Sequence, residues 1–238
     1  MEATVNMKIT VINGTEVKGC TYHIKENFLE VLREANEITE FYLPKDLPYF
    51  CCGCKTCFLK SEEFCPHAKY VMPIWNSILN ADLLIFTSPV YALRTTAQMK
   101  ALLDHLCVYW MVHRPYERMF KKRAVILTNA IGIFNGGAQK DIETSLSWLG
   151  VSDIKKVGVG LLEGVIWNEL SDKRKNVIIK KVKKAAEKYK KSHIGHKEIK
   201  VSVKFFISKI MHQAIAKKEK TLSVDNQYWA YKGWIKVK

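Results

Sequence analysis

Apolar residues recur along the chain with two spacings, every second residue or every third to fourth, and the switches between them delimit the elements. Lys8 to Ile12 (KITVI) is a β-branched run closing on Asn13-Gly14, which predicts a strand ending in a turn. Ile24, Phe28, Leu29 and Leu32 then predict a helix over Thr21 to Ala35, with Thr21 as its N-cap. Ile38 to Leu43 reads as a second strand, and Ala68 to Leu79 as a helix with Val71, Ile74, Trp75 and Ile78 on one face. Pro73 belongs in a first helical turn and argues for a later start to that helix. Asp82 to Thr87 (DLLIFT) is almost continuously apolar, as a strand covered on both faces should be. A helix over Ala97 to His113, a strand over Arg123 to Asn129, a helix over Ala138 to Leu149 stopping at Gly150, a strand over Ile154 to Leu161 and a Lys-rich helix over Ser171 to Lys191 complete the series. Strands and helices that alternate at this spacing give, by the right-handed crossover rule, a parallel sheet with helices on both faces.

Two stretches break the alternation. Residues 44–67 form a Cys- and Pro-rich loop too long to be a mere connector. Beyond Lys191, SHIGHK interrupts the pattern. Glu198 to Ala216 then fits either a helical stripe (Ile199, Val203, Phe206, Ile210, Ala214) or a strand (Ile199, Val201, Val203, Phe205, Ile207), and its length favours helix. The stripe requires burial, and a partner subunit in a homodimer or higher oligomer is the preferred place; the chain's own domain and a membrane surface are the others. Tyr228 to Trp234 (YWAYKGW) is too aromatic for a solvated tail and is expected to fold back on the body. We therefore divide the chain into an α/β domain at 1–168 and a basic, mainly helical extension at 169–238.

Charge supports that division. The net charge is +15, yet residues 171–238 carry 20 of the 38 Lys and Arg and only 5 of the 23 Asp and Glu, so the body is neutral. Such a tail suits a solvated helix face or an anionic partner, and no motif that reads DNA or RNA accompanies it. No window reaches the roughly 18 apolar residues of a membrane span, and MEATVNMK lacks the apolar run of a signal peptide. Seven Cys, five of them between Cys51 and Cys65, point to a metal or redox site in a reducing cytoplasm, not to a secreted disulfide framework.

In a doubly wound sheet, ligands sit beyond the carboxyl ends of the strands. The first loop there, Gly14 to Thr21, offers glycines, hydroxyls and a helix N-terminus, a set that suits a phosphate; Cys20 stands where a Walker A motif needs Lys, and the dinucleotide pattern GxGxxG is absent. The second, Thr87 to Thr96, holds Pro89 and Tyr91 and can receive a planar heterocycle. The third, with Thr128, Asn129, Gly136 and Gly137, is Gly-rich and polar. Cys51, Cys54 and Cys57 are each separated by two residues, and Cys65 follows after seven more, so four thiolates can converge on a 4Fe-4S cluster or a tetrahedral zinc. Cys52 and His67 are further candidate ligands, free thiols are the alternative, and His105 and His113 read as surface or packing residues.

The order GTEVKGCT, CCGCKTC with Cys65, ADLLIFTSPVYALRTTAQMKALLDH, a Gly-Gly turn and YWAYKGW resembles the flavodoxin-like NAD(P)H-dependent FMN reductases, and within them the iron-sulfur flavoproteins. The SPVY loop with Lys100 and Asp104 carries the likeness best. The phosphate loop departs from the family's GSPRKxGNT: Thr15 and Thr21 match, Glu16, Val17 and Cys20 do not, and the loop is one residue short. The resemblance implies a five-stranded sheet in the order 2-1-3-4-5. It also implies FMN, with its phosphate on Thr15, Lys18, Gly19, Cys20 and Thr21, and its ring against Pro89, Val90, Tyr91, Ala92 and Leu93. Electrons would pass between NAD(P)H or a protein donor and an unidentified acceptor, through a 4Fe-4S cluster if Cys51, Cys54, Cys57 and Cys65 hold one. No catalytic acid or base is named, because the chemistry is the flavin's. The rival reading is a non-enzymatic zinc module whose basic tail docks on nucleic acid.

Overall fold

The structure, a computed structural model, describes residues 7–190 and 199–237. The SHIGHK interruption, the expected helix end at Lys191 and the start at Glu198 lie outside them. Five parallel strands, β1 (Lys8–Asn13), β2 (Glu37–Tyr42), β3 (Leu83–Pro89), β4 (Arg123–Ile131) and β5 (Asp153–Leu161), form one sheet in the order 2-1-3-4-5, as expected. The central β3 is buried along its whole length, and β4 along all but its ends, which is why their sequences do not alternate. Helices α1 (Cys20–Glu30) and α6 (Asp172–Glu187) cover one face. Between β2 and β3 come α2 (Thr56–Leu59), a single turn inside the Cys-rich loop, and α3 (Ala68–Asn80); α3, α4 (Ala97–His105) and α5 (Gly136–Leu149) cover the other face. Ile178, Val182 and Ala186 of α6 join the same core as Ile24 and Phe28 of α1, so the expected division at 168 falls ahead of a helix that completes the α/β unit.

Three local expectations are corrected. Gly19, not Thr21, occupies the N-cap of α1; the Thr21 hydroxyl instead donates to the Asn129 side chain, pinning the first turn of the helix to the end of β4. Helix α3 begins at Ala68 and runs through Pro73, whose ring lies on the exposed side, where water can reach the Lys69 carbonyl left without its donor. Helix α4 stops at His105, eight residues early, and passes into a 3₁₀ turn over Leu106–Tyr109. Packing overrides local helical pattern there, because Tyr109 turns in to stack on Trp75 at 3.9 Å between ring centroids.

The C-terminal segment is helical, with α7 (Ile199–Ala216) and α8 (Val224–Tyr231). The aromatic end folds back as expected: Trp229 is fully buried, its indole N–H donates to the His113 carbonyl (2.5 Å), and Tyr228 Oη donates to the Pro115 carbonyl (2.6 Å). The face α7 buries is not the expected stripe. Val201, Phe205, Ser208 and His212 face the body, where His212 stacks on Trp229 (4.4 Å), whereas Ile199, Val203, Phe206, Ile210 and Ala214 are exposed. Among the described residues no helix is long and apolar enough to cross a membrane.

Candidate active site

The loop after β1 is anchored from below. The Gly14 amide donates to the Thr87 carbonyl (2.7 Å), and the Thr96 hydroxyl donates to the Gly14 carbonyl (2.7 Å). A Cβ on Gly14 would come within 2.9 Å of the Thr87 oxygen, so the close approach requires glycine. Beyond this anchor the N-terminus of α1 has no side-chain cap and no acidic residue in its first turn, which leaves backbone N–H groups free to meet an anion. They open on a pocket of about 250 Å³ lined by loop residues that include Thr15, Gly19, Cys20 and Thr21, facing Pro89, Val90, Tyr91 and Asn129. Among the described residues no carboxylate lines it.

The opposite wall is a hairpin tip. Tyr91 and Arg94 exchange both backbone hydrogen bonds (3.0 and 2.9 Å), and the two residues between them, Ala92 and Leu93, have φ of 48° and 63°. Both positions favour Asn or Gly, and holding side-chain-bearing residues there costs about 1–2 kcal/mol each. The surroundings impose the turn: Arg94 forms a bidentate ion pair with Asp141, the Thr95 amide also donates to Asp141 (3.2 Å), and the Leu93 carbonyl presses against the bare Cα of Gly137. Strain of this kind persists where a backbone is held for a ligand. Tyr91 and Leu93 are more than half exposed at the tip.

The sequence-derived FMN residues thus divide in two. Thr15, Gly19, Cys20, Thr21, Pro89, Val90, Tyr91 and Asn129 line the pocket. Lys18, Ala92, Leu93, Thr128, Gly136 and Gly137 are not part of its lining. Lys18 reaches over the Tyr22 ring (5.6 Å). Thr128 is buried and accepts from Gln139 Nε2 (2.9 Å). Ala92, Leu93 and Gly137 shape the hairpin. Cys20 presents its backbone, since its thiol donates to the Val165 carbonyl (3.2 Å) and burial pushes that thiol up from its usual range. Sequence reasoning missed Val17, Ile131, Leu161 and Val165 in the lining. Around them Ile133, Phe134, Leu162 and Ile166 leave an exposed apolar rim. Apolar residues inside Gly-rich loops after β4 and β5 were the available signal.

The fit to FMN is good on these observations: a carboxylate-free pocket at the ends of β1 and β3, free helix N–H groups on one side, a fixed hairpin backbone on the other and an apolar rim.

In the Cys-rich loop, Gly53 and Lys55 take positive φ (67° and 60°) and coil the chain, so that Cys51, Cys52, Cys54, Cys57 and Cys65 all border one narrow cavity of about 70 Å³. All seven cysteines are free. Burial, reinforced by Cys65 and partly offset by Arg114, pushes the Cys57 thiol up to about 11, and burial raises Cys65 as well. Cys57 and Cys65 are half-buried and Cys51, Cys52 and Cys54 exposed; thiols crowded in this way are a donor set that a soft cation or cluster stabilises as thiolates. His67 and His105 complete the wall, and the ligand atoms of Cys65, His67 and His105 lie within 4.8 Å of one another. His105 is therefore no surface residue. It is buried, its Nδ1–H donates to the Ala101 carbonyl (2.7 Å), and its Nε2 faces His67 Nδ1 (3.0 Å). Burial lowers its pKa, which keeps the ring neutral and Nε2 free to accept. Lys100 and Asp104 do form their ion pair on the exposed side of α4, and Asp104 borders the same cavity.

Comparison with known proteins matches residues 7–163 to the family described as NADPH-dependent FMN reductase. An iron-sulfur flavoprotein of Methanosarcina thermophila is 28% identical over 165 residues, 68% of this chain and 83% of that protein. One of Archaeoglobus fulgidus is 24% identical over 202 residues, 84% and 86% of the two chains. Among solved structures, an FMN-dependent NADH-azoreductase of Bacillus anthracis in complex with FMN superposes with a TM-score of 0.59 at 13% identity, covering 77% of this chain and 99% of its own. An NAD(P)H:quinone oxidoreductase of Methanothermobacter marburgensis gives 0.57 at 18%, covering 79% and 100%. At those identities the superpositions establish the flavodoxin-like fold. Nothing in these likenesses supports the rival zinc module docked on nucleic acid. Several tail lysines are engaged on the body, Lys183 with Glu30 and Lys181 with the Gly158 carbonyl among them.

Proposed function

Because this chain belongs to the NADPH-dependent FMN reductase family, we propose that it is an NAD(P)H-dependent flavoprotein that holds FMN between the Thr15–Thr21 loop and the Pro89–Leu93 hairpin. The observation that carries this reading is the single pocket between the uncapped N-terminus of α1 and a strained, externally braced hairpin. FMN, when bound, supplies hydride and single-electron transfer at its ring. The protein's own part is to bind, orient and shield: backbone N–H groups at Gly19 to Thr21 meet the phosphate, the backbone of Pro89 to Tyr91, held in place by the hairpin, flanks the ring, and the apolar rim excludes water. Purified protein should be yellow and release FMN on denaturation; a colourless preparation that takes up no FMN on titration overturns the assignment.

In the same reading, Cys51, Cys54, Cys57 and Cys65 hold a 4Fe-4S cluster that relays electrons to an acceptor. What supports it is the convergence of those thiols on one cavity. The Cys65, His67 and His105 grouping favours a second possibility, a single soft cation such as zinc, with the Ala101 carbonyl fixing the His105 tautomer. Metal and labile-sulfide analysis after anaerobic purification separates them: iron with stoichiometric sulfide supports the cluster, zinc without sulfide the mononuclear site.

A further inference from the structure

Helix α7 packs on the body through Val201, Phe205 and His212. Its other side is an arc of Ile199, Val203, Phe206, Ile207 and Ile210 at helical spacing, 49% to 82% exposed. Lysines border this arc along both of its long sides. Lys200 and Lys204 stand three positions before Val203 and Ile207 on one side, and Lys209 stands three positions after Phe206 on the other. Lys217 and Lys218 follow at its end, and no Asp or Glu occurs from Ile199 to Lys218.

Beside the Lys200 and Lys204 border a polar cavity of about 560 Å³ opens between α5, the start of β5 and α7. Lys140, Lys155, Lys200 and Lys204 line it with two carboxylates, and both of those are already paired, Glu143 with Lys156 (2.9 Å) and Asp153 with Arg123 (3.1 Å). Among the described residues Lys200 and Lys204 have no carboxylate partner; Lys204 Nζ donates to Ser147 Oγ (2.6 Å) and lies 4.5 Å from the centre of the Trp148 ring. Burial and the ammonium groups of Lys140 and Lys200 lower the Lys204 pKa, so an anion at this border would relieve a charge that the fold holds at a cost.

The occupant must satisfy the apolar arc and the cationic borders together. Nucleic acid would meet the lysines and leave five apolar side chains wet. A second copy across a two-fold axis would bring cationic borders together, with no carboxylate on the helix to answer them. An anionic lipid surface meets both demands, since its acyl chains take the apolar face and its headgroup phosphates take the lysines beside it.

We propose that the outer face of α7 docks this protein on an anionic lipid surface, the helix lying in the headgroup layer with Val203, Phe206, Ile207 and Ile210 among the acyl chains and Lys200, Lys204 and Lys209 on headgroup phosphates. The proposal does not depend on the flavin reading. Full-length protein should sediment with vesicles of phosphatidylglycerol and phosphatidylcholine, should bind pure phosphatidylcholine vesicles at least about tenfold more weakly, and should be released by added salt. Ile207→Ser with Ile210→Ser, at positions already exposed, should weaken binding at least about tenfold with an unchanged circular dichroism spectrum. Lys200→Glu with Lys209→Glu, which leaves the apolar arc intact, should do the same on phosphatidylglycerol. Lys45→Glu, after β2 at the sheet edge opposite β5, should sediment as wild type does. Wild type that stays in the supernatant overturns the proposal, as does equal binding to the two kinds of vesicle or wild-type binding by either double variant. A wild-type oligomer whose mass falls in the Ile207 and Ile210 variant, measured by light scattering, also overturns it and assigns the face to a second copy.

Discussion

Lys122 is buried, and its ammonium donates to the backbone carbonyls of Leu79 (3.0 Å) and Ala81. Burial holds its pKa down at about 8, with Asp82 opposing the shift and Arg118 adding to it. Between that value and the ordinary range near 10.5, the unfolded chain binds a proton that the folded chain has lost, so this residue makes stability rise with pH across the window. The contribution is on the order of 2–3 kcal/mol from one end of the window to the other. Denaturant titrations at pH 8 and pH 10 should show a more positive trend for wild type than for Lys122→Met, and identical trends would refute the assignment. Gly137 makes a similarly local demand. A Cβ there collides with the Leu93 carbonyl, so Gly137→Ala must displace the hairpin or α5. We expect at least a tenfold loss of FMN affinity, about 1.4 kcal/mol, by fluorescence titration. Unchanged affinity would show that the hairpin does not position the flavin.

The Cys-rich loop and helix α8 are far apart in sequence yet share a buried cation. Arg114 donates to the Cys57 carbonyl, pairs with Glu62 (3.2 Å) beside the loop and with Asp225 (3.3 Å) in the first turn of α8. Asp225 also accepts from His113 Nδ1 (2.8 Å), and Phe58 packs on the His113 ring (4.6 Å). The contact between Arg114 Nε and Asp225 is close but poorly directed for a hydrogen bond, so its share lies below the 3–5 kcal/mol typical of a broken buried pair. Asp225→Asn should cost about 1–3 kcal/mol. In metal-free protein it should also speed alkylation of Cys57 several-fold before global unfolding, because the loop loses its brace from α8. Wild-type alkylation rates and thermal midpoint would mean that α8 does not organise the loop.

For the molecule as a whole, the C-terminal segment is part of the core as well as an outer surface, since Val201 joins the main hydrophobic cluster and Trp229 is fully enclosed. Removing residues 196–238 should therefore lower the thermal midpoint and loosen the Cys-rich loop, beyond any change in assembly. What the sequence by itself determined was whatever local periodicity and spacing encode: five strands, their helices, the glycine-bearing loop at the mouth of α1 and the close spacing of Cys51, Cys54, Cys57 and Cys65. Strand order and the FMN expectation came from the motif resemblance, and the fold agrees with that order. Tertiary structure alone decided the rest. Which side of α7 is inside depends on where Trp229 and His212 meet, and both sides are apolar enough to qualify. His105 is drawn to Cys65 and His67 by packing between segments about forty residues apart, a proximity that no helical or strand period records. The end of α4 and the positive φ of Ala92 and Leu93 run against local preference, and are held by Trp75, Asp141 and Gly137 across the fold. Local preferences of a kcal/mol or less per residue are legible in sequence, but long-range contacts outweigh them wherever packing or an ion pair contributes more.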